Sequence, residues 1–183
     1  MNIPNQLTVL RIILIPIFII MLSVPMPASS TIWGVPTMHF WAAILFAFAS
    51  ATDWLDGYLA RKWKLVTNFG KFADPLADKM LTMSAFVMLV GLGMAPAWVV
   101  AVIICRELAV TGLRLLLVEN GGTVLAAAMP GKIKTVTQML SIIFLLFGFQ
   151  KLGTITLYIC LFFTIYSGID YFVKNKQVFK DVD

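Results

Sequence analysis

The chain has 183 residues, 60% of them hydrophobic and only 13% charged, with a mean hydropathy of +0.92. Ordinary water-soluble domains carry far more polar surface than that, so water is excluded as the main solvent. The net charge of +5 and pI near 9.4 would point to nucleic acid in a soluble protein. In so apolar a chain a basic rim against anionic lipid accounts for them, and no nucleic-acid partner is expected.

Crossing about 30 Å of hydrocarbon takes a helix of roughly 20 apolar residues. Runs of about that length lie at 7–22, 38–60, 76–93, 95–118, 133–149 and 152–173. The expected fold is therefore an all-α integral membrane bundle of six transmembrane helices in a single domain, 1–183. Before the first run, Pro4, Asn5 and Thr8 favour turns and helix caps, so a short N-terminal interfacial segment is expected. Arg11 ahead of an apolar run resembles the start of a signal peptide, but no small-residue cleavage site follows, and the helix is read as retained.

The second run ends in the least ordinary stretch of the sequence. Of nine Asp and Glu residues, four fall within the 26 residues from Asp53 to Asp78, bordering hydrocarbon, where acids are costly and mark function by default. At about 100° per residue, Asp53, Asp56, Gly57 and Ala60 share one helix face. Asp74 and Asp78, four apart, stack on one face of the next helix, and a loop at 62–69 is short enough to hold the two helices side by side. Four converging carboxylates repel one another unless hard cations neutralise them, and Mg²⁺ or a similar ion with oxygen ligands is commonly shared with substrate phosphates. Gly57 and Ala60 leave a groove for a ligand, Gly70 lies one turn before Asp74, and Arg61 can pair with a phosphate oxygen. Structural readings stand beside these. Asp74 before Pro75 would make a helix cap, Asp78 could pair with Lys79 or Arg61, and Gly57 and Ala60 could serve close helix packing.

In the fourth run Arg106 and Glu107 sit deep among apolar residues, and Arg114, Lys132 and Lys134 flank the following loop. These cations suit a phosphorylated substrate, although Arg106 could pair with Glu107 or another buried acid and the others could reach for lipid headgroups. Cys105 and Cys160 lie in apolar runs without metal-ligand spacing and read as buried thiols, and His39 is too isolated for a metal site. With the amino terminus inside, thirteen of the fourteen basic residues fall on the inner side and only Lys151 on the outer. Both termini and the acidic motif are thus expected on the cytoplasmic face of the cell membrane.

The pattern Asp53-x2-Asp56-Gly57-x2-Ala60-Arg61-x8-Gly70-x3-Asp74-x3-Asp78 resembles the full signature of the CDP-alcohol phosphotransferases. The resemblance implies a six-helix membrane enzyme, usually a homodimer, with two Mg²⁺ or Mn²⁺ ions held by Asp53, Asp56, Asp74 and Asp78. It also implies a CDP-lipid site at Asp56, Gly57, Ala60, Arg61 and Gly70, and Asp78 as the group that takes the acceptor's proton. Three further stretches are similar to the branch of the family that uses CDP-diacylglycerol and sn-glycerol 3-phosphate. They are Asn2-Ile3-Pro4-Asn5-x-Leu7-Thr8-x2-Arg11, Arg106-Glu107-x3-Thr111-Gly112-Leu113-Arg114 and Gly131-Lys132-Ile133-Lys134-Thr135-x2-Gln138. On that reading Arg106, Arg114, Lys132 and Lys134 bind the acceptor's phosphate. The competing readings are the same chemistry on inositol phosphate, serine or phosphatidylglycerol, a transporter whose acids carry protons or metal ions, and a non-catalytic lipid binder. A transporter favours charge near the bilayer midplane and paired repeats. These acids gather at one edge and no repeat is apparent.

Overall fold

A computed structural model describes the backbone of residues 3–24, 30–63, 68–119 and 129–175, and side chains within 6–24, 30–52, 76–117 and 129–175. Six helices follow in order: α1 (Ile3–Ser23), α2 (Thr37–Trp63), α3 (Asn68–Gly91), α4 (Ala97–Glu119), α5 (Met129–Leu146) and α6 (Gln150–Lys174). Each contains most or all of one predicted run. The helices overshoot the runs where polar residues continue them. Of residues 62–69, expected as a loop, Lys62 and Trp63 belong to α2 and Asn68 and Phe69 to α3. The cap reading of Asp74 falls with this, since α3 begins six residues earlier. The residues expected as an interfacial segment belong, from Ile3 on, to α1, which runs unbroken with Pro4 in its first turn, where a missing N–H costs nothing.

Short reversals join α3 to α4 and α5 to α6 at one end of the bundle. Gly93 and Gly148 adopt φ of 71° and 78°. Met94 N–H donates to the Leu89 carbonyl at 2.9 Å and Phe149 N–H to that of Phe144 at 2.9 Å, the bonding that closes a helix on a left-handed glycine. Between α1 and α2, at the same end, strands β1 (Thr31–Ile32) and β2 (Val35–Pro36) form a small antiparallel hairpin that the apolar pattern did not foretell. Its two-residue turn, Trp33-Gly34, has positive φ at both positions, 52° and 79°.

α5 lies along α6, α1 rests against α2 and α3, and α4 packs on α6. The interior toward the turn end is hydrocarbon: Phe18, Phe46, Phe86, Leu89, Ile103, Leu145 and Leu157 are all fully buried. Ala42, Ala43, Ala49 and Ala85, also fully buried, let the backbones approach. Gly153 does the same for α5 and α6, since a methyl group there would come within 2.6 Å of the Leu145 side chain.

The bundle is apolar on its outside as well as in its core, and several polar groups are buried within it. Ile13, Ile20, Val87, Trp98, Leu108, Leu115, Phe162, Ile169 and Val173 are exposed, whereas Thr8, Arg11, Glu107, Lys134, Gln138 and Thr164 are buried. Windows in α1 and α6 are long and apolar enough by themselves to cross a membrane. Two expectations change here. Cys105 is exposed, beside a shallow outer groove between α4 and α6, while Cys160 is buried as expected; an apolar run does not reveal which of its faces looks outward. The basic residues are not all rim residues either, for Arg11 is fully buried and Lys134 nearly so.

Candidate active site

A cavity of about 600 Å³ opens between α3, α4, α5 and α6 at the end away from the glycine turns. Three helices each contribute one face at spacing i, i+3, i+4, i+7. These are Glu107, Val110, Thr111 and Arg114 of α4, Gly131, Lys134, Thr135 and Gln138 of α5, and Ser167, Asp170, Tyr171 and Lys174 of α6. Asp78, Lys79 and Thr82 of α3 complete the wall, with Arg106 beside Glu107. Polar residues recur at this spacing in otherwise apolar helices, and that periodicity is the signal by which the α6 face and Lys79 could have been found from sequence.

The lining carries Lys79, Arg106, Arg114, Lys134 and Lys174 against Asp78, Glu107 and Asp170, an excess of positive charge. Buried Glu107 is the hub. Its Oε1 lies 3.4 Å from Arg106 Nη1 and accepts a hydrogen bond from Lys134 Nζ across the α4–α5 interface. Arg106 Nη2 donates to Ser167 Oγ at 2.9 Å. Lys79 Nζ donates to Thr111 Oγ1, whose own hydroxyl donates to the Glu107 carbonyl at 2.6 Å, linking α3 to the same wall. Lys174 pairs with Asp170 at 2.8 Å. Arg114 is held differently: its guanidinium lies over the Tyr171 ring at 5.5 Å, while its Nε, like that of Arg106, is buried without a hydrogen-bond partner. An arginine held by an aromatic face, with no carboxylate bonded to it among the described residues, keeps its charge available to a ligand.

Of the residues expected at the site, Asp78, Arg106, Arg114 and Lys134 come together around this cavity. Lys132 does not, being exposed one position off the inward face of α5. Asp53 and Asp56 fall in the last turns of α2 and Asp74 near the start of α3. Their side chains, with those of Gly57, Ala60, Arg61 and Gly70, lie outside the described residues, and so do the expected convergence of four carboxylates and the CDP groove. Among the described residues no group of three His, Cys, Asp or Glu side chains could hold a metal ion. Arg11 is an addition: its Nε donates to the Ala49 carbonyl at 3.3 Å, which sets a fully buried cation one turn before Asp53 on α2.

A membrane-type helical bundle with a cationic cavity beside the last aspartate of the signature defines a class that comparison with known proteins resolves. The profile of the CDP-alcohol phosphatidyltransferase family matches residues 1–166, and the chain belongs to that family. It is 48% identical to the CDP-diacylglycerol–glycerol-3-phosphate 3-phosphatidyltransferase of Bacillus subtilis, over 98% of this chain and 97% of that one. A protein of the same name from Haemophilus influenzae is 39% identical over 96% of this chain and 94% of its own length. Another from Pseudomonas fluorescens is 44% identical over 80% of this chain and 72% of its own.

Proposed function

We propose that the protein is the enzyme that transfers the phosphatidyl group of CDP-diacylglycerol to sn-glycerol 3-phosphate, giving phosphatidylglycerophosphate and CMP in phospholipid biosynthesis. The observation that carries the reading is that Asp78 shares one cavity with Arg106, Arg114 and Lys134. A group able to take a hydroxyl proton thus stands beside groups able to hold a phosphomonoester. Full-length similarity to proteins named for this reaction supports the same acceptor.

In this reading the primary hydroxyl of glycerol 3-phosphate attacks the lipid-side phosphorus. The new O–P bond forms as the bond to CMP breaks, and the hydroxyl proton passes to Asp78. Arg106, Arg114 and Lys134 hold the acceptor's phosphate, which carries nearly two negative charges and approaches an anionic diphosphate, so cations on the acceptor side are required. Asp53, Asp56, Asp74 and Asp78 would hold two divalent ions, Mg²⁺ or Mn²⁺, an all-oxygen donor set that suits hard cations. Such ions supply charge neutralisation of the diphosphate and of the leaving CMP. Gly57, Ala60, Arg61 and Gly70, with Asp56, would receive the CDP moiety.

The same proposal takes 1–183 as one domain with six membrane spans, in the cytoplasmic membrane, with both termini and the cavity on the cytoplasmic side and as a homodimer. An exposed apolar girdle around buried polar groups supports lipid as the solvent. Cysteines introduced as Asn68→Cys and Lys176→Cys into a variant lacking Cys105 and Cys160 should resist an impermeant thiol reagent in intact cells and react in inverted vesicles. Labelling from outside overturns the orientation.

The deciding assay measures CMP release by the purified protein in detergent with CDP-diacylglycerol, Mg²⁺ or Mn²⁺ and a panel of acceptors. Glycerol 3-phosphate should give the fastest release. Faster release with inositol phosphate or serine would reassign the acceptor and leave the reaction class standing.

A further inference from the structure

The charged groups of the cavity wall differ in what holds them, and one of them touches two of the others. Glu107 and Lys134 keep only 10% and 7% of their side chains exposed, and they reach each other from different helices. Arg106 is gripped at both ends of its guanidinium, Nη1 toward Glu107 at 3.4 Å and Nη2 on Ser167 at 2.9 Å. Its stem crosses α6 at Gly168, where a methyl group would stand 3.2 Å from Arg106 Cγ. A side chain at 168 would push that stem aside by a few tenths of an ångström.

We infer that Glu107 is a positioning residue for the acceptor site: its carboxylate, with the Ser167–Gly168 step of α6, holds Arg106 and Lys134 on one wall of the cavity as a fixed pair of cations. The inference rests on the reading of that wall as the phosphate site and goes beyond it by assigning what sets its geometry. Two cations facing one cavity repel each other, and a nearly buried lysine without a counterion would swing away. One carboxylate between them removes both tendencies and still leaves the trio with a net positive charge. An incoming phosphomonoester then meets cations already in place instead of ordering them itself, which lowers the cost of binding. Glu107 touches no reacting atom in this account and acts only through Arg106 and Lys134.

The test compares wild type, Glu107→Gln, Lys134→Met, the double variant and Arg106→Gln by CMP release in detergent, with separate KM values for glycerol 3-phosphate and CDP-diacylglycerol. Glu107→Gln should raise the glycerol 3-phosphate KM about tenfold or more and move the CDP-diacylglycerol KM by no more than about twofold. The double variant should be no worse than the worse single one, because both changes disable the same unit. Equal rises in both KM values, or effects of the two changes that multiply, overturn the role. If Glu107→Gln does not survive purification, Gly168→Ala and Ser167→Ala decide the matter, since they disturb the seat of Arg106 without uncovering a buried charge. A severalfold rise in the glycerol 3-phosphate KM alone supports positioning, and unchanged KM values overturn it. A rise with Arg106→Gln but not with Glu107→Gln removes the positioning role and leaves the acceptor site intact. CMP release by wild type that ignores glycerol 3-phosphate removes both.

Discussion

Near the glycine turns, α4 buries Val99, Val100 and Ile103 in a hydrocarbon interior; further along the same helix it turns Glu107, Thr111 and Arg114 inward. α5 and α6 divide in the same way, with Leu145, Leu146 and Leu157 at one end and Lys134, Gln138 and Ser167 at the other. The two ends face different demands. At the turn end the side chains have only one another to satisfy, and close packing suffices. At the cavity end some buried polar groups find their partners on another helix, so Glu107 can serve α5 only when α4 and α5 are docked. Substitutions at the first end should therefore change stability and spare the KM values, and those at the second should change the KM values.

The largest effect expected is at Asp78. Asp78→Asn should lower the rate of transfer by about a thousandfold, within the range for loss of a positioned proton acceptor, while CDP-diacylglycerol binding falls far less. Equal losses in rate and binding would make Asp78 a ligand-holding residue only. In the same assay a chelator should abolish turnover, with full activity restored by Mg²⁺ or Mn²⁺; full activity in chelator would refute the metal site.

At the opposite end Phe86→Ala removes a fully buried ring from the hydrocarbon core. It should cost about 3 kcal/mol of stability, read as a lower melting temperature in detergent, with the KM for either substrate unchanged below that temperature. A change in KM would show that the two ends are coupled.

Arg106→Gln should raise the KM for glycerol 3-phosphate at least about tenfold, or roughly 1.4 kcal/mol, with little change for CDP-diacylglycerol. Arg114→Gln should match it, because Arg114 stands on Tyr171 with no carboxylate bonded to it among the described residues. A much smaller effect at Arg114 would mean that the aromatic seat holds it for structure alone. Lys132→Gln should be the mildest, within about twofold, since an exposed side chain off the cavity face gives up little. A tenfold effect there would return Lys132 to the acceptor site.

The helices, their order and the reaction class were legible from the sequence. Apolar runs fix where helices form because each backbone must satisfy its own hydrogen bonds in hydrocarbon, a local requirement that length and hydropathy express. The aspartate spacing is equally local, since one helical period decides which side chains share a face. Gly93 and Gly148 were open to the same kind of reading, as left-handed caps between apolar runs.

Other features depended on how the helices rotate about their axes. Arg11 looked like a rim cation and is fully buried, Cys105 looked buried and is exposed, and Lys132 and Lys134, two positions apart, point to different surroundings. Nothing within a uniformly apolar helix marks its inward face; neighbours do. Glu107 shows this most clearly: its sequence neighbour Arg106 was an evident partner, whereas Lys134, 27 residues away, became one only when α4 packed beside α5. Hydropathy and helical period are enough to set the helices and the chemistry they carry. Which charges meet follows from docking, because a buried ion pair is a property of two packed helices and of neither alone.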